Sequence, residues 1–219
     1  MIKALLFDLD GTLLNRDASV YKFIHNQYDR FEKWVGHIPK ETYISRFIDL
    51  DCHGYVWKDS VYQQMAQEFN MTNLKWEDLL RDYLENFKDA CVPFPNLHEM
   101  LEELKNRDLK LGIITNGKGQ FQYDNIRVLG IEHYFSTILI SEWEGIKKPD
   151  PEIFKAGLQK LQVLPEECLF VGDHPNNDIL AARQIGMKTI WKKDKQWNQV
   201  EADYIINDLN EISLLLAAR

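Results

Sequence analysis

Two hydrophobic patterns divide this chain. One is the short apolar run bounded by turn residues, which marks a buried strand. The other is the three- and four-residue recurrence that marks an amphipathic helix. Ile2 to Phe7 is an apolar run of strand-compatible residues that ends at Asp8-Leu9-Asp10-Gly11, and it reads as a buried strand entering a turn. From about Asn15 to Val92 the pattern is helical. Tyr21, Ile24, Tyr28 and Phe31 recur at helical spacing, as do Phe23, Gln27 and Phe31. Val61, Met65, Glu68 and Phe69 follow the same spacing, and so do Leu79, Tyr83 and Phe87. Pro39 and Asp51-Cys52-His53-Gly54 interrupt the stripes, which predicts a small bundle of four or five helices.

Pro93-Phe94-Pro95 reads as a hinge or linker, and after it strands and helices alternate. Strands are expected at Lys110 to Thr115, Thr137 to Ser141, Leu169 to Val171, Thr189 to Trp191 and Tyr204 to Ile206. Helices are expected from Gly117-Lys118-Gly119 to about Leu129, and over Asp150 to Leu161, Pro175 to Ile185 and Asp208 to Ala217. Such alternation predicts an α/β fold, a Rossmann-like parallel sheet with helices on both faces. The first strand should join that sheet. The expected division is a core domain of residues 1–14 and 93–219, and an inserted helical cap bundle over 15–92.

Composition adds limits rather than direction. The 219 residues suffice for one large domain, or for a core with a smaller insertion. A hydrophobic fraction of 45% with 27% charged residues is that of an ordinary globular protein. The net charge of −8 argues against a nucleic-acid partner, although a bound metal would still admit an anionic substrate. Cys52, Cys91 and Cys168 show no Cys-x-x-Cys spacing, so a disulfide framework or zinc site is not expected, and a reduced, cytoplasmic setting fits. No apolar run is long enough to span a membrane, so no membrane partner is expected. Oligomeric state is not readable from the pattern.

The chemistry collects at strand ends, where ligands bind in a parallel sheet. Asp8 and Asp10 follow the first strand, and Thr115, Asn116 and Gly117 end the second. Lys147 and Lys148 come after the third, and Gly172 and Asp173 after the fourth, with Asp178 further on. Crowded carboxylates repel one another, and a divalent cation resolves that conflict. Mg2+ prefers hard oxygen ligands and keeps sites for water and phosphate. Asp8, Asp173 and the backbone carbonyl of Asp10 are the expected ligands. Thr115 and the N–H groups of Asn116 and Gly117 are expected to bind phosphoryl oxygens, with a lysine adding positive charge.

These segments resemble the motifs of the haloacid dehalogenase superfamily. Asp8-Leu9-Asp10-Gly11-Thr12 is similar to its first motif, Ile114-Thr115-Asn116-Gly117 to its second, and Lys148-Pro149-Asp150-Pro151-Glu152-Ile153-Phe154 to its third. Val171-Gly172-Asp173 through Asp178-Ile179 is similar to its fourth. The order and spacing agree across nearly the whole chain, and the helical insertion resembles the cap of one branch. The resemblance implies that Asp8 attacks phosphorus to form an aspartyl-phosphate. It implies that Asp10 protonates the leaving oxygen and then activates water. Thr115 and Asn116 would hold phosphate, Lys148 would balance the charge, Asp173 would bind magnesium, and Asp178 would support the site from behind.

Each piece also has a plainer reading. An Asp-Gly after a strand is often only a turn. Thr115-Asn116-Gly117 could be a simple strand-to-helix connection, and Asp178 a helix cap. Of the adjacent lysines, the family pattern favours the one directly before proline, Lys148. A lone His174 in a turn reads as a helix-start residue rather than a ligand. Arg16, Arg46, His53 and Lys58 carry charges that could reach a substrate, with none singled out. The leading expectation is hydrolysis of a small phosphorylated metabolite. A 2-haloacid dehalogenase is the alternative, opposed by Asp10, because halide departs without a proton. A phosphosugar mutase and a non-catalytic interaction module complete the set.

Overall fold

The computed structural model describes residues 1–217. Along the chain come β1 (Ala4–Phe7), α1 (Arg16–Val35), α2 (Lys40–Asp51), α3 (Lys58–Glu68), α4 (Trp76–Asn86), α5 (Leu97–Asn106) and β2 (Lys110–Thr115). There follow α6 (Gly119–Val128), β3 (Thr137–Ile140), α7 (Ser141–Glu144), α8 (Pro151–Leu161), β4 (Cys168–Gly172), α9 (Ala181–Gln184), β5 (Lys188–Lys192), β6 (Tyr204–Ile206) and α10 (Glu211–Ala217). These elements form two compact units. One is Met1–Asn15 together with the chain from Pro93 onward, and the other is Arg16–Val92.

In the first unit the six strands make one sheet in the order β3-β2-β1-β4-β5-β6, with every pair parallel. Ala4 and Leu6 of β1 pack with Ile114, Leu139 and Phe170 against Ile153, Phe154 and Leu158 of α8 and Ala181 and Ala182 of α9. Leu5 and Phe7 alternate to the opposite face, and they too are buried, with Leu111, Ile113 and Leu169 beside them. Both faces being covered is why β1 is apolar throughout rather than alternating. Each fully buried leucine or phenylalanine contributes about 1.5–3 kcal/mol, so a short strand suffices to anchor the sheet's centre.

The strand order determines where chemistry can sit. From β1 the sheet builds through β2 to β3 on one side, and β4 then returns to β1's other side. Such a reversal leaves a crevice at the carboxyl ends of the central strands. Asp8 is the first residue beyond β1, and its N–H donates to the Val171 carbonyl at 2.9 Å.

Two local features depart from the sequence expectation. Pro175 to Ile185 is not one regular helix: a π-helical turn, Pro175–Leu180, runs into the short α9. Between Pro95 and Lys110, where no element is expected above, α5 packs Leu97, Met100, Leu101 and Leu104 inward.

In the second unit α1 buries Val20, Phe23, Ile24, Gln27 and Tyr28. Tyr21, expected on the buried stripe, is 49% exposed, so the buried face is rotated from the expected one. Gln27 is accommodated because each end of its amide is partnered. Its Nε2 donates to the Leu79 carbonyl at 3.0 Å and to Asp82 at 2.9 Å, while Tyr62 donates to its Oε1 at 2.8 Å. No helix among the described residues is long and apolar enough to cross a membrane.

Candidate active site

The loop after β1 turns back on itself, with Gly11 N–H donating to the Leu14 carbonyl at 2.9 Å. Gly11 has φ +86°, and a Cβ there would lie 2.3 Å from Asp173 Oδ2. Only glycine satisfies both the left-handed backbone and the close approach of that carboxylate. Gly172 plays the corresponding part at the end of β4, where a Cβ would come within 2.5 Å of the Asp178 side chain.

These approaches bring three carboxylates together. Asp8, Asp173 and Asp178 each offer an oxygen, all within 4.8 Å of one another. Lys148 reaches into the cluster. Its Nζ donates to Asp8 Oδ1 at 2.5 Å and to Asp178 Oδ1 at 2.7 Å. The lysine is 3% exposed, whereas Lys147 beside it is exposed to solvent. Burial alone would lower the Lys148 ammonium, but Asp178 and Asp8 overcome that and hold it above the ordinary lysine value.

Asn116 places the lysine. Its Nδ2 donates to the Lys148 carbonyl at 2.9 Å, and its Oδ1 accepts the Lys148 N–H at 2.9 Å. The Asn116 side chain is therefore a clamp on the lysine's backbone. The Gly117 N–H, expected to face phosphate, donates to the Ser141 hydroxyl at 2.9 Å. Asp178 turns its second oxygen to the His174 N–H at 3.0 Å, so both of its oxygens are engaged. His174 itself accepts the Asn176 and Asn177 N–H groups on Nδ1 at 3.1 Å, which makes it the cap of the π-helical turn.

With this geometry the chain can be set beside known proteins. It matches the haloacid dehalogenase-like hydrolases over residues 5–192. The chain belongs to that family of enzymes. It is 37% identical to the glyceraldehyde 3-phosphate phosphatase of Pyrococcus furiosus, over 96% of this chain and 91% of that protein. A haloacid dehalogenase-type phosphatase from Thermococcus onnurineus has a similar structure, with TM-score 0.69, 28% identity and 98% of each chain covered. So does a 2-haloacid dehalogenase from Pseudomonas syringae pv. Tomato DC3000, with TM-score 0.66, 27% identity, and 100% of this chain and 99% of that chain covered.

In this hydrolase the charge balance at the carboxylates suits a cation. Burial pushes the Asp8 carboxyl up, Lys148 pulls it back, and Asp178 and Asp10 add to the rise, leaving it at about 7. Asp173 is held well above the usual carboxylate range by burial first, then by Asp8 and Asp178. Two adjacent acids that resist ionisation are what a hard divalent cation relieves, and an all-oxygen donor set suits magnesium. Asp8, Asp173 and Asp178 are the carboxylates near enough to one another to share such an ion.

One residue of the site escaped the sequence reading. Gln122, on α6, is buried, and its Nε2 donates to Asp10 Oδ2 at 2.6 Å, to Thr115 Oγ1 at 2.8 Å and to the Asn116 carbonyl at 3.2 Å. It joins the loop after β1 to the end of β2. Its partner Asp10 lies 112 positions away, so no local spacing announces the contact.

Proposed function

We propose that this protein is a magnesium-dependent phosphatase that hydrolyses a small-molecule phosphate monoester through an aspartyl-phosphate on Asp8. The observation that carries the reading is the Asp8–Lys148 contact at 2.5 Å, with a second acid, Asp173, in the same cluster. Lys148 orients Asp8 and leaves the other carboxylate oxygen to attack. Asp8, Asp173 and the Asp10 carbonyl would hold magnesium, which supplies positive charge for the phosphoryl oxygens and keeps Asp8 ionised.

Thr115 Oγ1 and backbone N–H groups at the end of β2, that of Asn116 first, bind the phosphoryl oxygens in this reading. The Gly117 N–H would join them by leaving Ser141. Asp10 gives a proton to the leaving oxygen and later takes one from the attacking water. The helical unit, Arg16–Val92, is the cap that selects the substrate and excludes water. The relative's name puts glyceraldehyde 3-phosphate first in a panel of phosphorylated metabolites, and a cytoplasmic setting accords with such a substrate.

A dehalogenase reading has the structural likeness in its favour, but Asp10 has no task there, because a departing halide needs no proton. The test is phosphate release from p-nitrophenyl phosphate with magnesium, beside chloride release from 2-chloropropionate without it. Phosphate release that Asp8→Asn abolishes supports the reading. Chloride release in its place overturns it.

A further inference from the structure

We infer that Gln122 is a positioning residue: it fixes Asp10 so that Oδ1, not Oδ2, carries the proton given to the leaving group. The inference rests on the phosphatase reading above and goes beyond it.

The orientation of the Gln122 amide is determined by its partners. Oε1 accepts from Asn125 Nδ2 at 3.2 Å, and Nε2 faces a carboxylate, a hydroxyl and a carbonyl. Reversing the amide would set its carbonyl against the Asp10 carboxylate and the Asn116 carbonyl, leaving the Thr115 hydroxyl as the sole donor among these three partners. An N–H therefore points at Asp10 Oδ2. An oxygen that accepts from an N–H is a poor place for a proton, so the proton of a neutral Asp10 goes to Oδ1. Oδ1 has no hydrogen-bond partner among the described residues.

The step balances. A bond forms from Asp8 to phosphorus, and the bond from phosphorus to the leaving oxygen breaks with its electron pair going to that oxygen. The Asp10 Oδ1–H bond breaks, and its proton goes to the same oxygen. The same side chain donates to Thr115, so Gln122 also sets the distance between the acid and the expected phosphate-binding hydroxyl. Burial makes the arrangement rigid: Gln122 is 2% exposed, and swinging it out would break its side-chain hydrogen bonds to Asp10, Thr115, Asn116 and Asn125.

The test uses two probes of similar shape, p-nitrophenyl phosphate and benzyl phosphate, with magnesium. p-Nitrophenolate departs with little need of a proton, whereas benzyl alkoxide requires one. The quantity is kcat/KM, which extends only to leaving-group departure and excludes hydrolysis of the intermediate. Gln122→Met is expected to lower kcat/KM for benzyl phosphate by on the order of 10- to 100-fold, a share of the roughly 10²–10⁴ that a placed acid contributes. The loss with p-nitrophenyl phosphate should be several-fold smaller. In an Asp10→Asn background, adding Gln122→Met should cost benzyl phosphate almost nothing more. Gln122→Leu also removes the donor, should the methionine variant not fold, and it should show the same selective loss.

Equal losses for both substrates would overturn the inference, since Gln122 would then serve Thr115 or the fold. No loss for either would overturn it as well. A wild-type protein that hydrolyses neither probe would overturn the phosphatase reading itself, and that outcome is seen before any Gln122 variant is made.

Discussion

Asp178 accepts from Lys148 at 2.7 Å, beside the lysine's contact with Asp8, and is itself held by the His174 N–H at 3.0 Å. The lysine that touches Asp8 is thus fixed by a carboxylate that need not touch substrate. Asp178→Asn keeps the volume and removes the charge. Lys148 then leans wholly on Asp8, and its orientation loosens. We expect kcat/KM for p-nitrophenyl phosphate to fall roughly 10- to 100-fold, the usual cost of losing a supporting residue behind a metal site. A far-UV spectrum like the wild type's should accompany the loss.

Gly11 offers a test of how Asp173 is admitted. With φ +86° and Asp173 Oδ2 2.3 Å from a would-be Cβ, Gly11→Ala must strain the loop or push the carboxylate away. The left-handed backbone alone costs about 1–2 kcal/mol. Magnesium titrations should show a raised concentration for half-maximal activity, together with a lower Tm. Unchanged magnesium dependence would separate Gly11 from the metal site.

Metal and proton should compete at Asp8. Its folded pKa is raised from 3.8 to about 7, chiefly by burial. A raised acid makes the folded state bind more protons than the unfolded chain between those values. This group therefore withdraws stability as pH rises through that window. Magnesium, by binding the ionised form, offsets the loss. The rise in Tm on adding millimolar magnesium should be small at pH 5.5 and larger at pH 8, and it should disappear with a chelator.

Asp51 bears a different load, within the helical unit. It accepts from Arg16 Nη2 at 2.8 and 3.0 Å and also pairs with Lys58. Burial would raise this carboxyl, but Arg16 and then Lys58 hold it below 3.8. Its contribution is therefore complete above that value and is lost as pH falls below it. Asp51→Ala removes the carboxylate that both cations share and should cost about 3–5 kcal/mol, read from thermal unfolding at neutral pH.

What the sequence disclosed follows from the range of each interaction. β1 could be read because burial on both faces makes it apolar throughout, and the parallel sheet follows from strand–helix alternation, whereas the order of its strands does not. Asp8, Thr115 and Asp173 could be singled out because each lies at the end of such a strand, whereas Lys148, well beyond β3, is singled out by its place before a proline in the family's pattern. α5 carries a helical stripe of its own, Leu97, Met100, Leu101 and Leu104, and is missing from the expected elements although its spacing is helical. The π-helical turn at Pro175 depends on His174 capping, which apolar spacing cannot register. The Ser141 hydroxyl on Gly117 and the Gln122 amide on Asp10 join elements distant in sequence, and neither residue type signals such a contact.

The central claim is that Asp8 becomes phosphorylated. Protein mixed with magnesium and excess p-nitrophenyl phosphate, quenched in acid within one turnover and digested, should yield a phosphorylated peptide containing Asp8. The modification should vanish on brief treatment with hydroxylamine and be missing from Asp8→Asn. Turnover at the wild-type rate with the phosphoryl group on another residue, or full activity in Asp8→Asn, would contradict the account.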